Sequence, residues 1–225
     1  MPLGSDGILP GMRGGWLTWI SGLALASAAG CRSRPAKVEA PFVDDFERPG
    51  PDLGADWNPT SPAYRLEAGQ LAVTHAYNHP AWLRRQLPED AVIDLDATSN
   101  SPAGDIKVEL YGDGVSFDPD KGSYDSTGYV LIFGGWHNSL SVICRLEEHG
   151  AGRKAQRDDV KVTPGRRYHF TITRKGGAID WAIDGRPFLA WTDPDPLSGP
   201  AHAYFAVNDW EADVRFDNLR IRPAR

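Results

Sequence analysis

Apolar and polar residues alternate in steps of two along most of this chain. Ile179, Trp181 and Ile183 alternate with Asp180, Ala182 and Asp184, the period of a strand with one buried face. Asp184-Gly185 follows, a pair that accepts the positive φ of a tight hairpin turn. The return segment carries Pro187, which cannot donate to a ladder, so its strand starts beyond it or runs along an edge. The same period places Ile106, Val108 and Leu110 opposite Lys107, Glu109 and Tyr111. Tyr129-Val130-Leu131-Ile132-Phe133 is apolar at every position, which predicts a central strand whose second face is also covered. Similar short segments recur from residue 42 to residue 222, and the pattern predicts about 13 strands and no helix beyond the leader. In the last strand Val214 and Phe216 share one parity and Leu219 and Ile221 the other, which predicts a bulge near Asp217-Asn218. Gly112 to Thr127 is long for a connection and is a candidate functional loop. Glu148 to Arg157 is charged and reads as an exposed turn.

The N-terminus departs from this pattern. Trp16 to Ala29 is an apolar run too short to span a bilayer comfortably. Arg13 precedes it, and Ser27-Ala28-Ala29-Gly30-Cys31 follows. This resembles a bacterial lipoprotein signal, with Ala28 where leucine is usual. The resemblance implies lipidation of Cys31 and a domain order of signal (1–31), tether (32–41) and folded domain (42–225). Ordinary secretory cleavage and an uncleaved anchor stay open, as does a start at Met1 or Met12. Arg32 after the cysteine points to the outer membrane or cell surface rather than inner-membrane retention.

Charge and cysteine content narrow the partners. The net charge is −6. Asp6 and Arg13 cancel in the leader, and Arg32, Arg34, Lys37 and Glu39 leave the tether basic. The remaining domain is therefore more acidic than the whole, which argues against nucleic acid as a partner. The two cysteines, Cys31 and Cys144, make no disulfide framework. Cys144 shares parity with Val142 and Leu146 and reads as a buried, inert thiol.

Several segments together carry a family resemblance. They are Val43-Asp44-Asp45-Phe46, Gly128-Tyr129-Val130-Leu131-Ile132-Phe133, Pro164-Gly165-Arg166-Arg167-Tyr168, Trp181-Ala182-Ile183-Asp184-Gly185 and Phe216-Asp217-Asn218-Leu219. Residues 42 to 223 resemble the concanavalin A-like jelly roll of the lectin/glucanase and laminin-G superfamily. More narrowly, they resemble bacterial domains of the 3-keto-disaccharide hydrolase type. The resemblance implies an all-β, two-sheet antiparallel jelly-roll sandwich, with one concave sheet on which glycans often bind.

Sugar rings stack on flat aromatic faces while polar neighbours fix their hydroxyls. Trp136-His137-Asn138 and Asn208-Asp209-Trp210 each stand just past a strand. With Trp82, they give a candidate ligand set of Trp82, Trp136, His137, Asp209 and Trp210. His75-Ala76-Tyr77-Asn78-His79 is a candidate contact loop, and Pro80 argues against a helical histidine pair for zinc. Asp94 and Asp96 share a strand face, and Glu109 could complete a carboxylate pair of the glycosidase kind. Thr98 stands where laminarinase-type relatives carry a third acid, so that active site is not matched. Asp44, Asp45 and Asp217 lie near the two ends of the domain, and Asp45 with Asp217 is a candidate structural calcium site. No other cofactor is expected.

Three readings follow. The first is a lipid-anchored cell-envelope module that binds a glycan or polysaccharide. The second is a saccharide-active hydrolase or lyase using the strand carboxylates. The third is a structural envelope protein without a small ligand.

Overall fold

The computed structural model describes residues 36–38, 41–117 and 126–225. Cys31, the leader, most of the tether and residues 118–125 of the long loop lie outside the described residues. The rest forms fifteen strands in two antiparallel sheets.

The larger sheet gathers both ends of the domain. Its strands are β1 (Phe42–Asp44), β3 (Arg65–Glu67), β4 (Gln70–Thr74) and β6 (Ala91–Ser99). They are joined by β11 (Arg167–Lys175), β12 (Ala178–Ile183), β13 (Arg186–Thr192) and β15 (Asp213–Pro223). The order is β13-β12-β11-β6-β15-β4-β3, with β1 also paired to β15. The second sheet contains β2 (Trp57–Pro59), β5 (Ala81–Leu83), β7 (Ile106–Gly112) and β8 (Tyr129–Gly134). It is completed by β9 (Leu140–Arg145), β10 (Arg153–Arg157) and β14 (Tyr204–Asn208), in the order β10-β9-β8-β7-β14-β5-β2.

The inner faces meet in one apolar core. Leu95, Phe170, Ile172, Trp181 and Phe216 come from the larger sheet; Val108, Leu131, Phe133, Ile143 and Phe205 come from the second. Phe133 is the aromatic centre. Tyr168, Phe170, Trp181 and Phe188 all meet its ring edge-to-face, with centroids 5.0 to 6.5 Å away. Aromatic pairs favour this geometry over a face-to-face sandwich.

The hairpin forms where the alternation ends. Asp184 and Gly185 hold φ of 52° and 73°, the doubly left-handed geometry that matches strand twist in a two-residue loop. Pro187 stands on β13, the edge strand, where its missing N–H leaves no ladder bond unmade. The bulge in β15 is present as well. Register shifts between Asp217 and Arg220, and Asn218 has φ 51°.

One expectation needs correction. Glu148 to Arg157 is not an exposed turn throughout: Gly150–Gly152 is a short turn, but Arg153–Arg157 is strand β10, paired to β9 at the edge of the second sheet, and Glu148 is largely buried. On β7 every residue from Ile106 to Gly112 is buried. Tyr129–Phe133 explains why. Its second face is covered, so the same face of its neighbour is covered too.

Trp181 gives a direct test of the core. Trp181→Ala removes a side chain in edge contact with Phe133, Phe170 and Phe188. It should destabilise the domain by about 3–5 kcal/mol, read as a lower midpoint in chemical denaturation at an unchanged slope. A loss under about 1 kcal/mol, the range of ordinary surface changes, would place Trp181 outside the core that holds the sheets together.

Candidate functional site

The outer face of the second sheet carries the site. Val130, Ile132, Val142 and Cys144 form a small buried cluster there, separate from the main core, with Trp136 and Leu140 packed against it. Beside it, β7 presents Lys107 and Glu109, both buried. A cavity of about 780 Å³ opens over this face. Lys107 and Ile132 form its floor, with Asp105 at the foot of β7. Four connections wall it. Tyr77 and Asn78 come from the β4–β5 loop, and Trp136 and His137 from the turn after β8. Glu147, Glu148 and His149 come from the β9–β10 loop, and Trp210 and Glu211 from the β14–β15 loop. Phe117 of the long loop adds a further ring.

A closed polar triad organises the floor. The Lys107 ammonium donates to Glu148 Oε2 at 2.9 Å and to Asn78 Oδ1. The Asn78 amide donates to Glu148 Oε1 at 2.8 Å. Lys107 is 2% exposed and Glu148 12%. Burial works against the Lys107 charge, but the carboxylates of Asp105 and Glu148 outweigh it and hold the ammonium above its usual range. Burial likewise penalises the Glu148 carboxylate, and Lys107 outweighs that and holds it below the ordinary range. Glu109 lies deeper and accepts from the Asn208 amide at 2.7 Å.

The walls are backbone-strained. His75, Tyr77, Asn78, Asp105, Trp136, His137 and Asn138 all have positive φ. Each non-glycine residue in this region costs roughly 1–2 kcal/mol, and such residues cluster where the surroundings over-determine them. The turn Gly135–Asn138 is helical in form but left-handed at Trp136 and His137. Asn138 pins it to the 158–163 segment: its amide donates to Val162 O at 2.8 Å, and its Oδ1 accepts from Val162 N–H at 2.9 Å.

Two carboxylates stitch the walls together. Asp105 N–H donates to Gly134 O at 2.9 Å, and Asp105 Oδ2 accepts from Trp210 N–H. It therefore links the Trp136 turn to the Trp210 loop. Asp209 Oδ1 accepts from Ala76 N–H at 2.9 Å, while its backbone oxygen accepts from Asn78 N–H at 2.9 Å. Its Oδ2 is buried without a partner among the described residues. Burial, with Asp105 adding to it against the bond from Ala76, pushes the Asp209 carboxyl up to about 7.

The aromatic walls differ in exposure. Trp210 and Tyr77 meet edge-to-face at 5.2 Å and are 46% and 45% exposed. Trp136 is half-buried: the Arg153 guanidinium lies 4.1 Å over its ring, and His149 meets its edge at 5.8 Å.

Of the residues singled out in the sequence, Trp136, His137 and Trp210 line this one cavity. Asp209 lies behind it as a brace. Trp82 does not line it. That ring is buried against Tyr204 and Ala206, and its indole N–H donates to Ser116 O at 2.6 Å. The proposed carboxylate pair does not assemble. Asp94 and Asp96 stand on the outer face of the larger sheet, and Glu109 on the outer face of the other. Asp96 takes His169 Nδ1 at 2.8 Å and the Asn218 amide at 3.0 Å; Asp94 accepts from Thr171 at 2.8 Å. The calcium set does not assemble either. Asp45 Oδ1 accepts from Glu47 N–H, Asp217 Oδ1 from Asn218 N–H, and Asp44 holds Arg48 and Trp57. No group of three metal-ligating side chains occurs among the described residues. Cys144 is buried, with its thiol pushed up to about 12 by burial and by Glu148, but it packs in the outer cluster rather than between the sheets. Asp105, Lys107, Glu148 and His149 were not singled out beforehand. The signal for Lys107 was present, since a strand beside Tyr129–Phe133 shares its covered face.

Comparison with known proteins sets the fold in context. A family model described as "Farnesoic acid 0-methyl transferase" matches residues 106–220, from the start of β7 into β15. It is a different family from the 3-keto-disaccharide hydrolase type that the motifs resemble. No curated protein matches the chain. Among solved structures, the carbohydrate binding module CBM66 from Bacillus subtilis is similar at a TM-score of 0.58. It is 15% identical, with 73% of this chain and 93% of that one covered. A Bacillus subtilis protein of unknown function with a galectin-like fold has a TM-score of 0.56 at 14% identity, covering 80% and 94%. The Bacillus licheniformis beta-glucanase has a TM-score of 0.59 at 10% identity, covering 84% and 100%. The fold is thus an all-β, two-sheet antiparallel jelly-roll sandwich of the concanavalin A-like kind.

Asp209 predicts a pH dependence. Its folded pKa of about 7 lies above the ordinary carboxyl value of 3.8, so the folded state holds a proton that the unfolded chain releases. The stability it contributes is full below about pH 4 and is lost as pH rises to about 7, at about 1.4 kcal/mol per pH unit. Asp209→Asn keeps an acceptor for Ala76 N–H and removes the titration. In urea denaturation across this range, the stability of the native chain should fall against that of the variant as pH rises. Parallel profiles would show that Asp209 does not titrate there.

Proposed function

We infer the function of a chain that belongs to the family described as "Farnesoic acid 0-methyl transferase": it is a glycan-binding jelly-roll module of the cell envelope. One observation carries this reading. Trp136 and Trp210, 74 positions apart in sequence numbering, line one cavity together with Tyr77, Asn78, His137 and Glu211. Ring faces beside hydroxyl-binding polar groups are what a saccharide requires. Fold-level likeness to a carbohydrate binding module and a beta-glucanase supports the reading without carrying it. The family's description names farnesoic acid. A carboxylate ligand of that kind would meet Asp105, Glu147, Glu148 and Glu211 in this cavity, a like-charge arrangement that disfavours it.

Those four carboxylates favour a second reading, hydrolysis or lysis of the bound saccharide, because they share a cleft. The envelope placement rests on the resemblance of Ser27-Ala28-Ala29-Gly30-Cys31 to a lipoprotein signal, with Cys31 as the lipidated residue and residues 32–41 as the tether. Cys31→Ser should abolish incorporation of labelled palmitate in a bacterial host and release the chain from the membrane fraction. Labelling that survives would end the lipid-anchor reading.

The binding site is tested on a glycan array with the full-length chain, and reducing-sugar release on any hit reports the second reading. Trp210→Ala should weaken binding at least tenfold, in line with about 1–3 kcal/mol for a stacked ring. Trp136→Ala should act in the same direction, while Trp191→Ala, outside the cavity, leaves affinity unchanged. Binding that ignores both cavity tryptophans would move the site elsewhere on the sandwich.

A further inference from the structure

The cavity charge narrows the ligand class. Among the described residues, four carboxylates and one ammonium line the cavity. That ammonium, Lys107, is already held by Glu148 and Asn78, so it is not offered to an incoming anion. Glu148 is consumed by the same triad. The side chains of Glu147 and Glu211 are exposed at the rim and make no hydrogen bond or ion pair among the described residues.

Asp105 is the decisive group. It is 8% exposed yet lines the cavity. Its Oδ2 accepts from Trp210 N–H. Its Oδ1 has no hydrogen-bond partner among the described residues and lies 3.7 Å from where a Cβ on Gly135, another lining residue, would stand. This oxygen faces the cavity, where a donor from a ligand, better a charged one, gains strength from the sheltered surroundings. Around it stand Tyr77 and Trp210, whose ring faces attract cations; the Trp136 ring already carries the Arg153 guanidinium at 4.1 Å.

We propose that the cavity recognises a saccharide carrying a free primary ammonium, with the ammonium donating to Asp105 Oδ1 and the sugar ring against the exposed Trp210. This rests on the glycan reading and specifies its substrate class as unacetylated amino sugar. The rim carboxylates Glu147 and Glu211 add attraction at longer range and disfavour uronic or sulfated glycans.

The experiment is calorimetric titration of the full-length chain with three oligosaccharides of equal length. One is built from glucosamine, one from N-acetylglucosamine and one from a uronic acid. Spermidine is the fourth ligand. The glucosamine oligomer should bind at least tenfold more tightly than the acetylated one, and the uronic oligomer should not bind. Added salt should reduce the difference. Asp105→Asn keeps an acceptor for Trp210 N–H and turns an amide toward the cavity, so it should cost the glucosamine oligomer at least tenfold while leaving the acetylated oligomer unchanged. Glu211→Gln, at the exposed rim, should cost a few-fold and keeps the test valid if Asp105→Asn melts early. Equal binding of the amine and acetyl oligomers would overturn the ammonium proposal and leave the glycan reading standing. Spermidine binding as tight as glucosamine oligomer would overturn the saccharide half. No binding by any of the three oligosaccharides would overturn both.

Discussion

A lysine ammonium buried on a sheet face constrains everything built over it. Lys107 cannot stay charged there without close partners, because taking an ion out of water costs several kcal/mol even after the surroundings relax. Glu148 and Asn78 are those partners. Each comes from a different loop, so satisfying one charge fixes two connections over the outer face of the second sheet. The β9–β10 loop is drawn in with Glu147 and His149 on either side of the pairing residue. The β4–β5 loop is drawn in with Tyr77 beside Asn78. The cavity is the space left between loops that the charge has pulled together.

The price of holding those loops is visible in the backbone. Left-handed residues crowd the rim, at His75, Tyr77 and Asn78 and again from Trp136 to Asn138. Hydrogen bonds that cross between elements offset them. Tyr77 N–H donates to Trp210 O at 3.0 Å, and Asn78 N–H to Asp209 O at 2.9 Å. Asp105 joins the Trp136 turn to the Trp210 loop, and Asn138 holds Val162 twice. The two tryptophans are therefore presented by turns that cannot relax independently. A rigid aromatic wall loses little conformational freedom when a ligand arrives, which favours binding.

The fold was largely legible in the sequence, and the reason is periodicity. Alternation at Ile179, Trp181 and Ile183, the Asp184-Gly185 turn and the parity slip near Asn218 are local signals. Each maps onto one structural feature. The site was half legible. Trp136, His137 and Trp210 stand after strands in polar company, and that company marks loop ends. Alternation sets Lys107 and Glu109 opposite Ile106 and Val108, but it reports only that two faces differ, not that one of them is wet. Trp82 failed for the opposite reason. A tryptophan beside histidines looks like a site, yet a buried indole with one carbonyl to bond is equally content in packing. The Asp94, Asp96 and Glu109 grouping failed because sequence order does not reveal which sheet a strand joins: β6 and β7 are consecutive and lie in different layers.

The two outer faces show what separates a site from a charged surface. Both carry aspartates within reach of other polar groups. On the larger sheet Asp96 is answered on both oxygens by His169 and Asn218, and Asp94 by Thr171 on one oxygen with the Arg222 guanidinium 3.8 Å from the other, and among the described residues no enclosing cavity of aromatic walls stands over them. On the second sheet Asp105, about as buried as Asp96, is answered on one oxygen only and lines a cavity. Shelter raises the value of any donor placed against the other, since an interaction strengthens as water is excluded. Charge density alone would make the two faces equivalent. Unmet bonding capacity inside an aromatic-walled cavity is what distinguishes the second, and it follows from the loops that Lys107 holds in place.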